Sequence, residues 1–132
     1  MTEGIVLAVI GGGSSYTPEL VEGILKNAEE FPVRTLRLMD IDETKLNIVG
    51  SLVGRMIEKE NLPVRLELTE DRRTALKGAD FIVTQIRVGG IKARIRDEKI
   101  PLEFNVIGQE TTGAGGFANA LRTVPVMLDI AK

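Results

Sequence analysis

Three groups of residues in this chain have types and spacing suited to chemistry. The first is Gly11-x-Gly13, which follows an apolar run and precedes Pro18-Glu19, with Ser14, Ser15 and Thr17 in between. Glycines there permit a tight turn and a close approach of backbone to phosphate. A helix N-terminus behind them adds partial positive charge, and the hydroxyls can donate to the same anion. The pattern departs from Gly-x-Gly-x-x-Gly, because Tyr16 stands where the last glycine would be. A tight βα turn that binds nothing fits the same residues. The second group is Asp40, 27 residues beyond Gly13. A carboxylate at the end of a second strand accepts adenosine ribose hydroxyls and repels a 2′-phosphate, which favours NAD over NADP. Asp42 reads instead as a helix cap.

The third group is basic. Arg87, Lys92, Arg94, Arg96 and Lys99 fall close together, and a stretch from Ile107 to Phe117 with a cluster of polar groups, Glu110 among them, follows. Arg87 stands at the end of a fourth strand, beside the crevice where such sheets bind ligands. An arginine fork suits phosphate or carboxylate. Lys92, Arg96 and Lys99 share one helix side, and Arg94 can pair with Glu98 four residues on. A solvated helix face laced with ion pairs is the plainer reading. Glu110 has no second carboxylate beside it, so the usual two-acid glycosidase arrangement cannot be built here. Gly113, Gly115 and Gly116 mark a shaped loop, or simply a flexible one.

These groups need a scaffold, and periodicity supplies one. Ile5–Ile10 is apolar on both faces, as in a strand covered by helices on both sides. A helix opens at Pro18 and runs through Leu20, Val21, Ile24 and Leu25 towards Ala28. Strand Thr35–Met39 follows, then a helix from Thr44 to Glu60 with apolar residues at helical spacing. Gly50 and Gly54 inside it either allow close packing or are merely tolerated. Strand Val64–Leu68 alternates and reads as half-buried near an edge. A helical turn at Asp71–Leu76, strand Phe81–Ile86, a helix from about Ile91 to Phe104, and a helix from Phe117 to Ala131 interrupted by Pro125 complete the order. Repeated β-α units define an α/β class with a Rossmann-like, doubly wound parallel sheet. The expected order of the four strands is 3-2-1-4. A full dinucleotide fold has a second half, so residues 1–132 read as its front portion. A compact four-strand domain is the alternative.

Composition narrows the chemistry. The chain has 132 residues, 43% hydrophobic and 27% charged, with a formal net charge of -2 and few aromatics. That balance argues against a nucleic-acid partner. Cysteine and histidine are absent. Disulfides, a thiolate nucleophile and a Cys/His zinc site are therefore excluded within these residues, and chemistry must rest on a cofactor, on carboxylates or on residues elsewhere. No basic leader precedes a long apolar run, so neither a signal peptide nor a membrane span is expected. A cytoplasmic location fits.

The motifs resemble the NAD-dependent glycoside hydrolases of family 4, on the branch of the 6-phospho-β-glucosidases. The resemblance rests on Val9 to Leu20, Asp40-Ile41-Asp42, Arg87 to Gly90, Arg94, Asp97-Glu98, Ile100-Pro101-Leu102, Gly108 to Gly113, Gly115-Gly116-Phe117 and Ala120-Leu121-Arg122. It covers nearly the whole chain and about a third of a typical member. It implies NAD and a divalent metal, usually manganese. It also implies oxidation at C3 of a 6-phosphorylated sugar, removal of the C2 proton, elimination of the aglycone from C1, addition of water and return of the hydride. By resemblance, Gly11, Gly13 and Ser14 belong to the cofactor loop and Asp40 holds ribose; Ser15, by its hydroxyl, and Arg87, by its place at the crevice, are counted with the cofactor residues. Arg94 is a substrate arginine, and Glu110 raises the basicity of a catalytic tyrosine. That tyrosine and the metal's cysteine and histidine ligands lie outside this chain, and Tyr16 is not that tyrosine. No metal residue is expected here, and the 132 residues alone are expected to be inactive.

The implied substrate is a phosphorylated disaccharide or aryl glycoside, and the implied full-length state a homo-oligomer. Thr111-Thr112 favours β- over α-glycosides, again by resemblance. Two other readings share the Gly11–Asp40 half: an NAD-dependent dehydrogenase of hydroxy or sugar acids, and a non-catalytic NAD-sensing domain.

Overall fold

The computed structural model describes residues 4–132, and the chain divides into two compact units, 1–86 and 87–132. The first unit holds β1 (Ile5–Ile10), α1 (Thr17–Lys26), β2 (Val33–Met39), α2 (Glu43–Glu60), β3 (Arg65–Thr69), α3 (Arg72–Leu76) and β4 (Phe81–Thr84). The second holds α4 (Gly90–Leu102) and α5 (Gly113–Ile130).

All pairings in the sheet are parallel, and the order is β3-β2-β1-β4, as the repeated units require. The crossovers through α1 and α2 both step outward from β1. The connection from β3 steps back across the sheet to β4, so the right-handed rule puts α3 on the opposite face. The α1–α2 face carries the apolar core: Leu7, Val9, Leu36 and Leu38 from the sheet meet Val21, Ile24, Leu46 and Val53 from the helices. The other face is thinner and partly polar. There Ala75 of α3 is buried, and Arg37 reaches Glu67 Oε2 at 2.7 Å and the Lys77 carbonyl at 2.6 Å. β1 is central and buried, and β3 is an edge, both as its patterning predicts.

Gly50 allows close packing, since a Cβ there would lie 2.5 Å from Leu68 Cδ1 and the leucine side chain would have to turn aside. Gly54 is only tolerated, since its nearest neighbour would be Leu66 Cδ2 at 3.9 Å.

Strand boundaries move by one or two residues from the pattern-based reading. β2 starts at Val33, which is buried directly after Pro32, and β4 ends at Thr84, two residues before Ile86.

The second unit departs further from expectation. Gly113-Ala114-Gly115-Gly116 is not loop but the first turn of α5. Pro125 does not interrupt α5, which continues to Ile130, although the Leu121 carbonyl loses its N–H partner there. The pair is held by Asp97 and Arg122. Nη2 and Nη1 of Arg122 reach the two Asp97 oxygens at 2.6 and 3.1 Å, and Nε donates to the Val88 carbonyl at 2.8 Å. The Arg122 hydrogen bond, opposed by burial, holds the Asp97 carboxyl below its ordinary value of 3.8. A carboxyl lowered on folding contributes stability above its unfolded value, and that contribution is lost as pH falls through the folded one. Thermal melts should therefore show this contribution intact at pH 6 and fading below about pH 4. Asp97→Asn should lower the midpoint at pH 6 by about 5 °C or more and flatten the acid dependence. Parallel pH profiles for the two proteins would refute the assignment.

Candidate functional site

The first cluster sits at the C-terminal ends of β1 and β2, where a parallel sheet opens towards ligands. β1 delivers Gly11, Gly12 and Gly13 across the top of the sheet, and each glycine answers to a different neighbour. Gly11 has φ +90°, and a Cβ on it would lie 2.5 Å from the Gln85 carbonyl oxygen. On Gly12 a Cβ would lie 2.7 Å from Leu38 Cβ, and on Gly13 2.9 Å from Asp40 Oδ2. The N–H groups of Gly11 and Gly12 share the Met39 carbonyl at 2.8 and 2.7 Å. The loop is thus tied to β2 by backbone hydrogen bonds and to the exit of β4 by the Gln85 amide, which donates to the Gly11 carbonyl at 3.3 Å.

Asp40 lies where the sequence places it, half-buried at the end of β2. Its Oδ2 accepts from Gly13 N–H at 2.9 Å and its Oδ1 from Asp42 N–H at 3.0 Å. Two ionised oxygens offer about four acceptor positions, so two bonds leave capacity for hydroxyl donors. Asp42 caps α2 as expected, accepting from Lys45 N–H at 3.0 Å, and pairs with Lys45 Nζ at 2.9 Å. The backbone hydrogen bond from Lys45, then its side chain, hold the Asp42 carboxyl below its ordinary range.

Two details of this loop differ from the sequence-based reading. Thr17 is fully buried, and its hydroxyl accepts from Gln85 Nε2 at 2.5 Å, so it braces the loop from below and does not face a phosphate. The first N–H of α1, that of Thr17, is closed by the Ser14 carbonyl at 3.0 Å. Ser14 Oγ accepts from Tyr16 N–H at 3.2 Å and keeps its own proton to donate. Ser15 and Tyr16 are exposed. Gln85 is the residue that sequence reasoning passed over. Its signal was a long amide in an otherwise apolar strand.

The second cluster lies within residues 87–132. Arg87, Arg94 and Glu110, separated by up to 23 residues, come together there. Nε and Nη2 of Arg87 reach Glu110 Oε1 at 3.1 and 2.7 Å. Arg94 Nη1 reaches Glu110 Oε2 at 3.2 Å, and Arg94 Nε donates to Glu98 Oε1 at 2.7 Å, the i,i+4 pair its spacing predicts. The hydrogen bond that Arg94 donates to Glu98, and then the charge of Glu110, hold the Arg94 guanidinium above its ordinary range. The backbone carrying Glu110 is packed by glycine. A Cβ on Gly108 would run into the Glu98 carbonyl, and one on Gly115 into the Gln109 carbonyl. The Thr112 hydroxyl hydrogen-bonds Gln109 Oε1 in the same turn.

Among the described residues no group of three or more His, Cys, Asp or Glu side chains could hold a metal ion. No described helix is long and apolar enough to cross a membrane.

Both clusters are built on the motifs of one family. The family model described as family 4 glycosyl hydrolase matches residues 6–132. The chain belongs to that family. A probable 6-phospho-beta-glucosidase of Bacillus subtilis is 60% identical over 134 residues, covering 100% of this chain and 30% of the relative. The 6-phospho-beta glucosidase of Thermotoga maritima, solved with NAD and glucose-6-phosphate, superposes with a TM-score of 0.91 at 41% identity, over 98% of this chain and 30% of that one. A 6-phospho-alpha-glucosidase from gut microorganisms, solved with NAD and Mn2+, gives a TM-score of 0.91 at 35% identity, over 98% of this chain and 30% of that one. The chain thus spans about 30% of the length of the relatives it matches.

Proposed function

We propose that this chain is the N-terminal, NAD-binding part of a 6-phospho-β-glucosidase. The observation that carries the reading is the Asp40 carboxylate, bonded to the N–H of Gly13 at the open end of a 3-2-1-4 sheet with acceptor capacity left over. Relatives solved with NAD share the fold at a TM-score of 0.91. NAD, when bound, supplies the hydride acceptor for a sugar hydroxyl. The chain's own part is to bind and orient it. Asp40 receives the ribose hydroxyls and Gly13 leaves room for their approach. Gly11 sets the turn, and Ser14 and Ser15 donate hydroxyls to the pyrophosphate. Arg94 engages the phosphorylated sugar and Glu110 supports the base.

We read Arg87 with Glu110 and not with the cofactor, because its Nε and Nη2 both donate to that carboxylate. The described residues do not fit a divalent metal. A relative solved with Mn2+ supports a manganese-dependent whole protein whose metal ligands lie elsewhere. The substrate is a phosphorylated disaccharide or aryl glycoside, handled in the cytoplasm by a homo-oligomer. The 132 residues by themselves are inactive.

Calorimetric titration with NAD and NADP tests the reading. NAD should bind saturably and NADP far more weakly, since the Asp40 carboxylate repels a 2′-phosphate. Asp40→Ala should weaken NAD by roughly 10–100-fold, the equivalent of losing hydrogen bonds to a charged group. A folded chain that binds both dinucleotides equally, with Asp40→Ala unchanged, would overturn it.

A further inference from the structure

We infer that Arg87 is a positioning residue that aims the Glu110 carboxylate, and that it contributes nothing to cofactor affinity. The inference rests on the functional reading above and deepens it. Arg87, Glu110, Arg94 and Glu98 form one continuous ladder. Arg87 takes Oε1 of Glu110 through two nitrogens, Arg94 takes Oε2, and Glu98 fixes Arg94 from the other side. Both oxygens of Glu110 are thereby assigned, each to a different guanidinium. Nη2 of Arg94 takes no part in these bonds.

Stability does not account for this arrangement. Arg87 and Arg94 are each 41% exposed at the side chain, and ion pairs that solvated contribute little to folding. The ladder does something else. The backbone at 108–109 is pinned against Glu98 and Gly115 through contacts that only glycine permits. The backbone position of Glu110 is therefore set by packing, while the direction of its side chain is set by the two arginines. A two-point hold through Nε and Nη2 fixes an angle as well as a distance, which a lysine ammonium cannot do. Without Arg87, Glu110 would pivot towards Arg94 and shift that guanidinium with it. The error is small in ångströms, but misplacements of that size cost large factors in rate.

The test has two arms. In the 132-residue chain, NMR of the arginine Nε–H groups should show a protected Arg87 signal that Glu110→Gln abolishes. A signal indifferent to Glu110→Gln would overturn the ladder itself. The second arm is a hybrid enzyme in which residues 1–132 replace the matching 30% of the Bacillus subtilis relative. Arg87→Met should lower kcat by about 10–100-fold with the KM for NAD unchanged. Glu110→Gln should lower kcat about as much, and the double variant no further, since the two act as one unit. Arg87→Lys should fall between, which separates lost geometry from lost folding. A raised KM for NAD in Arg87→Met, or losses that multiply in the double variant, would overturn the inference. An unsubstituted hybrid that binds NAD but leaves 6-phospho-β-glucosides intact would instead count against the functional reading, and the NMR arm would then decide the ladder alone.

Discussion

Replacing Gly115 with alanine should unfold the α4–α5 unit. Two effects oppose each other. Alanine is the better helix former, by about 1 kcal/mol in a helix interior. Against that, a Cβ at this position would strike the Gln109 carbonyl oxygen and lie 2.9 Å from that of Asp97. These atoms belong to two different segments, the loop before α5 and α4 itself. A side chain can rotate away from a methyl group, but a carbonyl oxygen moves only with its backbone. Overpacking against side chains already costs about 1–3 kcal/mol, so a double backbone clash should cost about 3 kcal/mol or more after the helix gain. The measurement is helical circular dichroism on heating. Gly23→Ala is the control with the opposite sign, since Gly23 lies on α1 with nothing within 4 Å of a Cβ. It should gain up to about 1 kcal/mol. A Gly115→Ala melt that overlies the native one would refute the packing argument.

Gly11→Ala should abolish NAD binding and weaken residues 1–86 together. The conformation at φ +90° disfavours any side chain, at a cost of roughly 1–2 kcal/mol. The added Cβ would also sit 2.5 Å from the Gln85 carbonyl oxygen and 2.9 Å from its carbon, which needs backbone movement worth about 1–3 kcal/mol. The sum is about 2–5 kcal/mol. The strain is not local. Gly11 N–H is bonded to Met39, the Gly11 carbonyl accepts from Ser14 N–H at 3.0 Å, and two residues on Gly13 meets Asp40. Shifting Gly11 carries Gly13 off the carboxylate and opens the ribose site. Titration calorimetry on Gly11→Ala should show no NAD heat where the native chain saturates. Gly23→Ala, on α1 with nothing within 4 Å of its Cβ, should leave NAD affinity unchanged. Native-like affinity in Gly11→Ala would show that the loop does not depend on this turn.

Much of the scaffold was legible in the residues. The fully apolar run at 5–10 marked a central strand, and the alternation at 64–68 marked an edge. Asp42 announced the start of α2, and Arg94 announced its pairing with Glu98. Each of these is a local signal, carried by spacing within a few residues.

What was not legible required a distant partner. Thr17 has the same hydroxyl as Ser14 and Ser15, and nothing nearby says that its own is covered by Gln85, 68 residues away. Glycine is ambiguous for the same reason. A run such as 113–116 reads as loop, because a missing side chain is a conformational cost in a helix. In α5 that cost is met so that a helix turn can lie against the carbonyls of Gln109 and Asp97. Arg87 reads as a crevice arginine, and only the return of Glu110 shows where its fork is spent.

By itself the sequence determined the α/β class, the strand order and the place of Asp40 at the end of β2. Periodicity assigns the elements, and right-handed crossovers leave little freedom in joining them. The tertiary structure alone decided which polar groups face the ligand and which brace the loop, and which carboxylate each arginine holds. Those choices depend on atoms brought within about 3 Å from far along the chain, and no local pattern encodes a contact of that range.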